Sequence, residues 1–470
     1  MDQQKKKRTL WKSTLMLLLK WFHFFGVYGA FITCWYFFYA NVIEDGIQMS
    51  TYYLLLSIVI FAAYFFFASV YGVYKIAYQR RTDLIFSQFL TLFCAYGLAY
   101  FIHTVRRAHF YNPLWLLAFF GGSLVFSILW TYLAHFVYFK MHKPKKTILL
   151  YTKDADLVRI KEAYKHNKRF NVVEKVNVAD MHYEDIIKVI DGYENVFVAG
   201  VQASTRNGIA KYCVDKGIQG FFAPHVGDII LMGGLSIQQF STPIFAVRRV
   251  APNPAYLFIK RFFDIVLSLI GIIISAPFML ITALIIKLYD KGPVFYSHIR
   301  LTKDRKPFKI LKFRSMRVDA EKDGVARLST EHDDRITPVG KFIRKLRLDE
   351  LPQLFNILKG DMTIVGPRPE RPEIAEKYEK EIPAFALRLQ VKAGLTGYAQ
   401  VYGRYNTDPY DKMQMDLMYI NRMSLLEDFK LILFTVKILF SKESTSGIDD
   451  KATTASITEQ NKSVKDEEKN

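Results

Sequence analysis

Hydrophobic residues crowd the first part of the chain into four long runs, approximately Leu15–Ala40, Tyr52–Tyr74, Leu84–His103 and Leu114–Phe139, with short polar stretches between them. A bilayer-spanning helix takes about 20 predominantly apolar residues. Each run is long enough to cross, and together they predict a four-helix membrane module over residues 1–142. Lys5, Lys6, Lys7, Arg8 and Lys12 precede the first run, Lys75, Arg80 and Arg81 follow the second, and Lys140, Lys143, Lys145 and Lys146 follow the fourth. Positive charge marks the cytoplasmic side, so these three flanks are expected there, against the dissent of Arg106 and Arg107. Trp11, Trp35, Trp115 and Tyr138 suit the headgroup level or, alternatively, the core of a large helix bundle.

Past Lys146 the pattern shortens. TILLY, ENVFVAGV and GIQGFFAP read as parallel strands, with KDADLVRIKEAYK and STRNGIAKYCVDK as helices between them. This predicts a small, doubly wound, Rossmann-like α/β domain over 146–245. Its first strand is followed by Tyr151-Thr152-Lys153-Asp154 rather than a glycine-rich turn, which argues against a dinucleotide cofactor. A fifth apolar run, Phe262–Leu288, has Lys260 and Arg261 before it and Lys287 and Lys291 after it, with Pro277 inside. Basic flanks on both sides and a proline that removes a helix hydrogen bond predict a re-entrant helix-break-helix hairpin over 256–290 that returns to the cytoplasmic face; a proline-kinked fifth span is the alternative. A basic, motif-dense region occupies 291–442. The polar tail 443–470 reads as disordered, and LEDFKLILFTVKILF before it as a helix that lies on a membrane surface or against a core.

At 470 residues the chain has room for several domains. Its formal net charge of +20 admits nucleic acid, anionic lipid or phosphorylated substrates; the membrane runs turn the expectation to the last two and away from nucleic acid. Cys34, Cys94 and Cys213 are too scattered for a disulfide framework or a metal site.

Candidate chemistry concentrates in the region 291–442. Leu351, Leu354, Phe355 and Leu358 recur at helical spacing with Pro352 in the first turn, which puts Asp349 and Glu350 at a helix N-terminus, where anions are favoured. An aspartate there is also an ordinary cap. The following KGDMTIVGPRPE contains Asp361 and a rigid turn, Gly366-Pro367-Arg368-Pro369, that presents one guanidinium suited to a phosphate. GPVFYSHIR, ending at Arg300, and FKILKFRSM, with Lys312 and Arg314, add cations that a solvated basic face would equally explain.

Taken in order, KRFFDIVLSLIGIIISAPF, GPVFYSHIR, FKILKFRSM, LRLDELPQLFNILKGDMTIVGPRPE and VKAGLTGYAQVYGR resemble the bacterial sugar transferases, the polyprenyl-phosphate hexose-1-phosphate transferases that start exopolysaccharide, capsule and O-antigen synthesis. The motif-level likeness runs from about Lys260 to Phe440; the four-span start and the α/β insert are similar to the larger members. Two departures are Ser275 and Pro277 separated by Ala276, where small members have Ser-Pro, and Tyr398, where many have Trp. The resemblance implies a mostly α-helical cytosolic catalytic domain on the bacterial inner membrane, a UDP-sugar donor and an undecaprenyl phosphate acceptor. It implies Asp349 as nucleophile forming an aspartyl phospho-sugar, and Mg²⁺ with Glu350 as its first ligand and Asp361 as a weaker one. Arg344, Arg368, Pro367, Pro369, Lys312, Arg314 and Arg300 are implied as the phosphate or nucleotide site, Asp416, Gln400 and Arg404 as further active-site candidates, and Ser275 and Pro277 as hairpin residues. Membrane lipid is an expected partner, and the resemblance allows a homo-oligomer and contact with later glycosyltransferases of the pathway. Rival readings are a transporter, which the lack of mid-span acidic residues disfavours, an inactive scaffold, and a glycosyltransferase that releases UDP rather than UMP.

Overall fold

In the computed structural model, which describes residues 2–40, 46–165, 168–239, 242–320, 333, 335–403 and 408–439, the four apolar runs are helices. They are α1 (Asp2–Cys34, continued by a π-helical stretch Trp35–Ala40), α2 (Gly46–Tyr71), α3 (Arg81–Arg107) and α4 (Leu114–Met141). All four are long and apolar enough to cross a membrane. Their shared core is aromatic, built from Phe24, Phe31, Trp35, Tyr64 and Tyr96, while Phe22, Phe25, Leu54, Ile58, Leu129 and Phe136 point outward. Outward apolar side chains suit lipid as the solvent.

A four-stranded parallel sheet in the order β2-β1-β3-β4 follows, from β1 (Lys145–Tyr151), α5 (Asp154–Lys165), β2 (Phe170–Asn177), α6 (Tyr183–Ile190), β3 (Asn195–Ala199), α7 (Ala203–Lys216) and β4 (Gln219–Phe222). Successive strand residues face opposite sides. Ile148, Leu150, Val196 and Val198 enter one core, and Leu149, Phe197 and Ala199 the other, so both faces are covered, as a parallel sheet requires. The first compact unit ends at Ala223. The expected α/β segment to residue 245 is therefore too long: α8 (Val226–Met232) and the antiparallel hairpin β5 (Leu235–Gln239) and β6 (Thr242–Ala246) group with the second unit. Ile229 of α8 lies in that unit's core with Leu417 and Ile420, and Gln414 donates to the Pro224 carbonyl at 2.6 Å.

The second unit is organised on α9 (Pro254–Asp290), a fifth helix long and apolar enough to cross a membrane. Pro277 sits inside it without ending it, contrary to the helix-break-helix expectation. A proline removes only one backbone hydrogen bond, and the residues on both sides of Pro277 remain helical, with Ser275 donating to the Gly271 carbonyl (2.6 Å) and Thr282 to that of Phe278 (2.7 Å). Lys260, Asp264, Ser268, Ser275, Thr282 and Ile286 form one buried stripe, and the rest of the unit is fixed along it. The hairpin β7 (Phe295–Leu301) and β8 (Pro307–Phe313) leads to α10 (Pro338–Lys345), α11 (Gln353–Lys359), β9 (Thr363–Val365), α12 (Pro372–Glu381), β10 (Gly394–Thr396), α13 (Tyr398–Val401), α14 (Pro409–Asn421) and α15 (Leu425–Leu439). Arg261 donates to the Ile357 and Leu358 carbonyls at the end of α11 (2.6 and 2.7 Å), and Asp264 accepts from Thr363 Oγ1 and the Ile364 N–H (2.7 and 3.0 Å). Nearer its other end, Ile286 packs on Phe313 and Ile343. The tail 443–470 lies outside the described residues.

Candidate active site

Asp349 and Glu350 occupy a single 3₁₀ turn, Leu348–Glu350, between α10 and α11. They precede α11 rather than opening it: Pro352 is the cap, and the helix proper, at seven residues, starts at Gln353. The apolar spacing that suggested an earlier start serves α9 instead, since Leu354 closes on Gly271. Arg347 reverses the chain before the turn in the left-handed region (φ 55°), a conformation that costs a non-glycine residue about 1–2 kcal/mol. The turn is anchored by Leu348 against Ile286, Phe313 and Ile343.

The two carboxylates have different surroundings. Glu350 Oε1 accepts from Arg368 Nη2 at 2.7 Å and from Lys312 Nζ at 3.5 Å; no hydrogen bond reaches its Oε2 among the described residues. Burial works to raise the Glu350 pKa, yet Arg368 and Lys312 together hold it well below the usual carboxylate range. Asp349 makes no hydrogen bond or ion pair among the described residues. Burial first, and the Glu350 charge second, push its pKa up against the opposing pull of Lys312, Arg344 and Arg368. The turn thus presents one saturated anionic oxygen and, beside it, a free carboxyl facing three cations.

Backbone contacts aim Arg368. Four consecutive carbonyls of its loop each accept a hydrogen bond: Pro367 from the Gly394 N–H (2.8 Å), Arg368 from Arg388 Nη2 (2.7 Å), Pro369 from Arg300 Nη1 (2.7 Å) and Glu370 from the Leu301 N–H (2.9 Å). Gly366 and Gly394 pass so closely that a Cβ on Gly394 would lie 2.1 Å from the Gly366 nitrogen, so no other residue fits there. Arg388 is itself held 2.6 Å from Asp416, whose side chain is 1% exposed and whose pKa burial pushes up to about 6. Asp416 thereby acts through Arg388 on the Arg368 backbone.

Several expected residues are placed elsewhere. Arg314 pairs with Asp290 at the end of α9 and is 6% exposed, so it clamps the helix rather than facing the carboxylates. Arg300 is committed to Pro369, Glu370 and His298. Asp361 joins Asn356 and Lys359 at the far end of α11, roughly 10 Å of helix rise from Glu350; the two do not come together. Arg344 lies in the last turn of α10 and acts on Asp349 through its charge. Pro367 and Pro369 flank Arg368 in the loop. Gln400, on α13, has both amide atoms buried without a partner among the described residues. Arg404 lies outside the described residues. Ser275 and Pro277 lie within α9.

Sequence reasoning missed Glu370, Arg388 and His298. The first two are tied to the site by pairings distant in sequence. His298 had a local signal: period-two alternation along FYSHIR puts it on one face with Tyr296 and Arg300, and Tyr296 pairs in register with Lys312. Its Nε2 accepts from Arg300 Nε at 2.7 Å. Burial, then Arg300, Arg371, Lys312 and Arg368, lower its pKa to about 2, so it is neutral.

No group of three or more His, Cys, Asp or Glu side chains suited to a metal occurs among the described residues. Mg²⁺ needs only one or two carboxylates when phosphate oxygens and water complete its shell, and free Glu350 Oε2 beside Asp349 fits that donor set.

The model of the bacterial sugar transferase family matches residues 255–442, a stretch that contains the carboxylate turn and every residue that holds it. Over 211 residues the chain is 38% identical to a UDP-glucose:undecaprenyl-phosphate glucose-1-phosphate transferase of Caulobacter vibrioides, 43% of this chain and 79% of that protein. The chain belongs to the bacterial sugar transferase family. A UDP-N-acetylgalactosamine-undecaprenyl-phosphate N-acetylgalactosaminephosphotransferase of Aeromonas hydrophila is 43% identical over 193 residues, 40% of this chain and 45% of the relative. A UDP-glucose:undecaprenyl-phosphate glucose-1-phosphate transferase of Escherichia coli is 41% identical over 202 residues, 42% of each. The matched stretch thus spans less than half the length of these two larger sugar transferases.

Proposed function

We propose that this chain transfers a sugar 1-phosphate from a UDP-sugar to undecaprenyl phosphate at the cytosolic face of the bacterial inner membrane, the first membrane step of an exopolysaccharide, capsule or O-antigen. The observation that carries this reading is the free Asp349 carboxyl beside Glu350, Lys312, Arg344 and Arg368. An Asp349 oxygen attacks the sugar-proximal phosphorus, the bond from that phosphorus to the bridging oxygen breaks, and UMP leaves with the electron pair. An aspartyl phospho-sugar remains. The lipid phosphate oxygen then attacks the same phosphorus and returns Asp349 as a carboxylate, giving polyprenyl-diphospho-sugar. Arg368, held by its four anchored carbonyls, and Lys312 stabilise charge on the phosphoryl oxygens at fixed positions. Mg²⁺ is part of the proposal, with Glu350 as its protein ligand, and would neutralise charge on the donor phosphates when bound.

The α/β unit is Rossmann-like in this reading and binds no dinucleotide. In this reading both ends of the unbroken helix α9 stay on one side of the membrane without a hairpin, because the same catalytic unit grips it at Arg261 and at Asp290. A helix of 37 residues is about 55 Å long, and a straight crossing would put those ends in different compartments.

The test is single-turnover chemistry without lipid. Wild type with UDP-sugar should release about one equivalent of UMP and gain a phospho-sugar adduct on Asp349. Asp349→Asn, which preserves size, should fold and do neither. Release of UDP, or an adduct on another residue, would overturn the mechanism.

A further inference from the structure

The cations behind the Arg368 loop are engaged with one exception. Arg388 is held by Asp416 and by the Arg368 carbonyl, and Arg300 by Glu370 and the Pro369 carbonyl. Lys412 of α14 stands four residues before Asp416, so the two side chains rise from neighbouring positions on one helix face. It is half-buried, yet its ammonium makes no hydrogen bond or ion pair among the described residues. Asp408, one turn earlier, is occupied as the cap of α14 and accepts from the Tyr410 N–H at 2.8 Å. Arg388 Nε is sealed in the interior, whereas Lys412 Nζ keeps contact with solvent. Burial lowers the Lys412 pKa; Glu370 and Asp408 oppose this, and Arg368 and Arg388 add to it. Arg368 fixes where this ammonium stands relative to Asp349. Its guanidinium donates to Glu350, the neighbour of Asp349, and its carbonyl accepts from Arg388, the partner of Asp416 (both 2.7 Å). Asp349 and Lys412 therefore flank Arg368 from opposite sides.

We infer that Lys412 binds the uridine-side phosphate of the UDP-sugar and of the UMP that departs. The inference rests on the proposed transfer and adds the residue on its leaving side. In phosphoryl transfer the attacking and leaving oxygens lie roughly in line, with the phosphorus between them. Asp349 attacks and Arg368 stands at the phosphoryl group under transfer, so the leaving oxygen points away from Asp349, toward Lys412. When the bond from the sugar-proximal phosphorus to the bridging oxygen breaks, its electron pair goes to the UMP phosphate. The charge that grows there meets an ammonium with no protein carboxylate to satisfy it, in a charge-assisted hydrogen bond. A lysine already committed to an ion pair would have to give up that pair to do the same.

The experiment uses the full chain in nanodiscs and measures equilibrium binding of UMP and of uridine, which lacks the phosphate. Lys412→Met should weaken UMP about tenfold, the size of one hydrogen bond to a charged group, and leave uridine unchanged. The steady-state KM for the UDP-sugar should rise by a similar factor. Lys412→Arg, which keeps the charge, should retain most of the UMP affinity. Because Lys412→Met removes an unpaired charge, its unfolding midpoint without nucleotide should not fall below that of wild type; if it does, Lys412→Gln, with a polar end, repeats the binding test. Wild-type UMP affinity in the variant, or an equal loss of UMP and uridine, overturns the inference. Unchanged UMP affinity with slower discharge of the preformed adduct by undecaprenyl phosphate would assign the ammonium to the lipid phosphate alone and also overturns it. Release of UDP by wild type would instead defeat the transfer reading, a failure seen in the product and not in the UMP affinity of the variant.

Discussion

Both of the cations that touch Glu350 choose the same oxygen, and this is what separates the fates of two neighbouring carboxylates. Glu350 stays ionised; Asp349, buried beside that charge, is harder to ionise. The sign of the pH effect follows. A raised pKa means that the attacking carboxylate form fills only as pH climbs past the ordinary aspartate value of about 3.9. We expect kcat/KM to rise with pH along an acid limb whose midpoint lies clearly above that value, the apparent constant belonging to the pair. A pH profile of UMP release measures it. A midpoint at or below the ordinary value would mean that Asp349 is not the titrating group. At this scale the sequence showed the charged residues but not their allocation: Arg300 and Arg314 look as available as Arg368 in a motif, and only the Pro369 carbonyl and the Glu370 and Asp290 carboxylates show that they are already engaged.

Helix α9 is held by a buried ionic knot as well as by apolar packing. Lys260 Nζ lies 2.6 Å from Asp428 of α15, and Tyr256 and Tyr419 both donate to that carboxylate at 2.7 Å. Removing one partner leaves an uncompensated buried charge, which costs about 3–5 kcal/mol. We expect Lys260→Met to lower the unfolding midpoint of the detergent-solubilised protein markedly and Lys260→Met/Asp428→Leu to recover much of the loss; a single variant as stable as wild type would contradict the knot. The existence of α9 was legible because its apolar run is long and its flanks are basic. Its continuity through Pro277 was not, since proline reads as a break wherever the neighbouring hydrogen bonds that carry the helix past it cannot be seen. The edge strand β2 escaped for the opposite reason: FNVVEKVN is half exposed and carries charges, so it lacks the apolar run that marked β1 and β3. The helix after the carboxylates was recognisable by spacing, but its start was misplaced by residues that face α9.

For the whole molecule, the family match covers only part of the second unit, and the stretch aligned with the Caulobacter relative accounts for 79% of that protein. We expect a truncation beginning at residue 224 to retain sugar-phosphate transfer. One beginning at residue 246 should be less stable, because it deletes Ile229 from the core, a loss of about 2 kcal/mol, together with the Pro224 carbonyl that Gln414 binds. Thermal unfolding and a radiolabelled transfer assay of the two truncations decide it; inactivity of the longer one would make the first unit part of the catalyst. The clamps of α9 have one more consequence. Arg261 grips the helix that follows the carboxylate turn, while Ile286 and Asp290 grip the turn's own anchor and β8. A single apolar rod thus spaces both sides of the reaction centre, and we predict that the bilayer around it acts on the enzyme mechanically. In vesicles of stepwise longer acyl chains, kcat should pass through an optimum while KM for the nucleotide sugar stays level, and a flat kcat would show that the rod does not transmit strain.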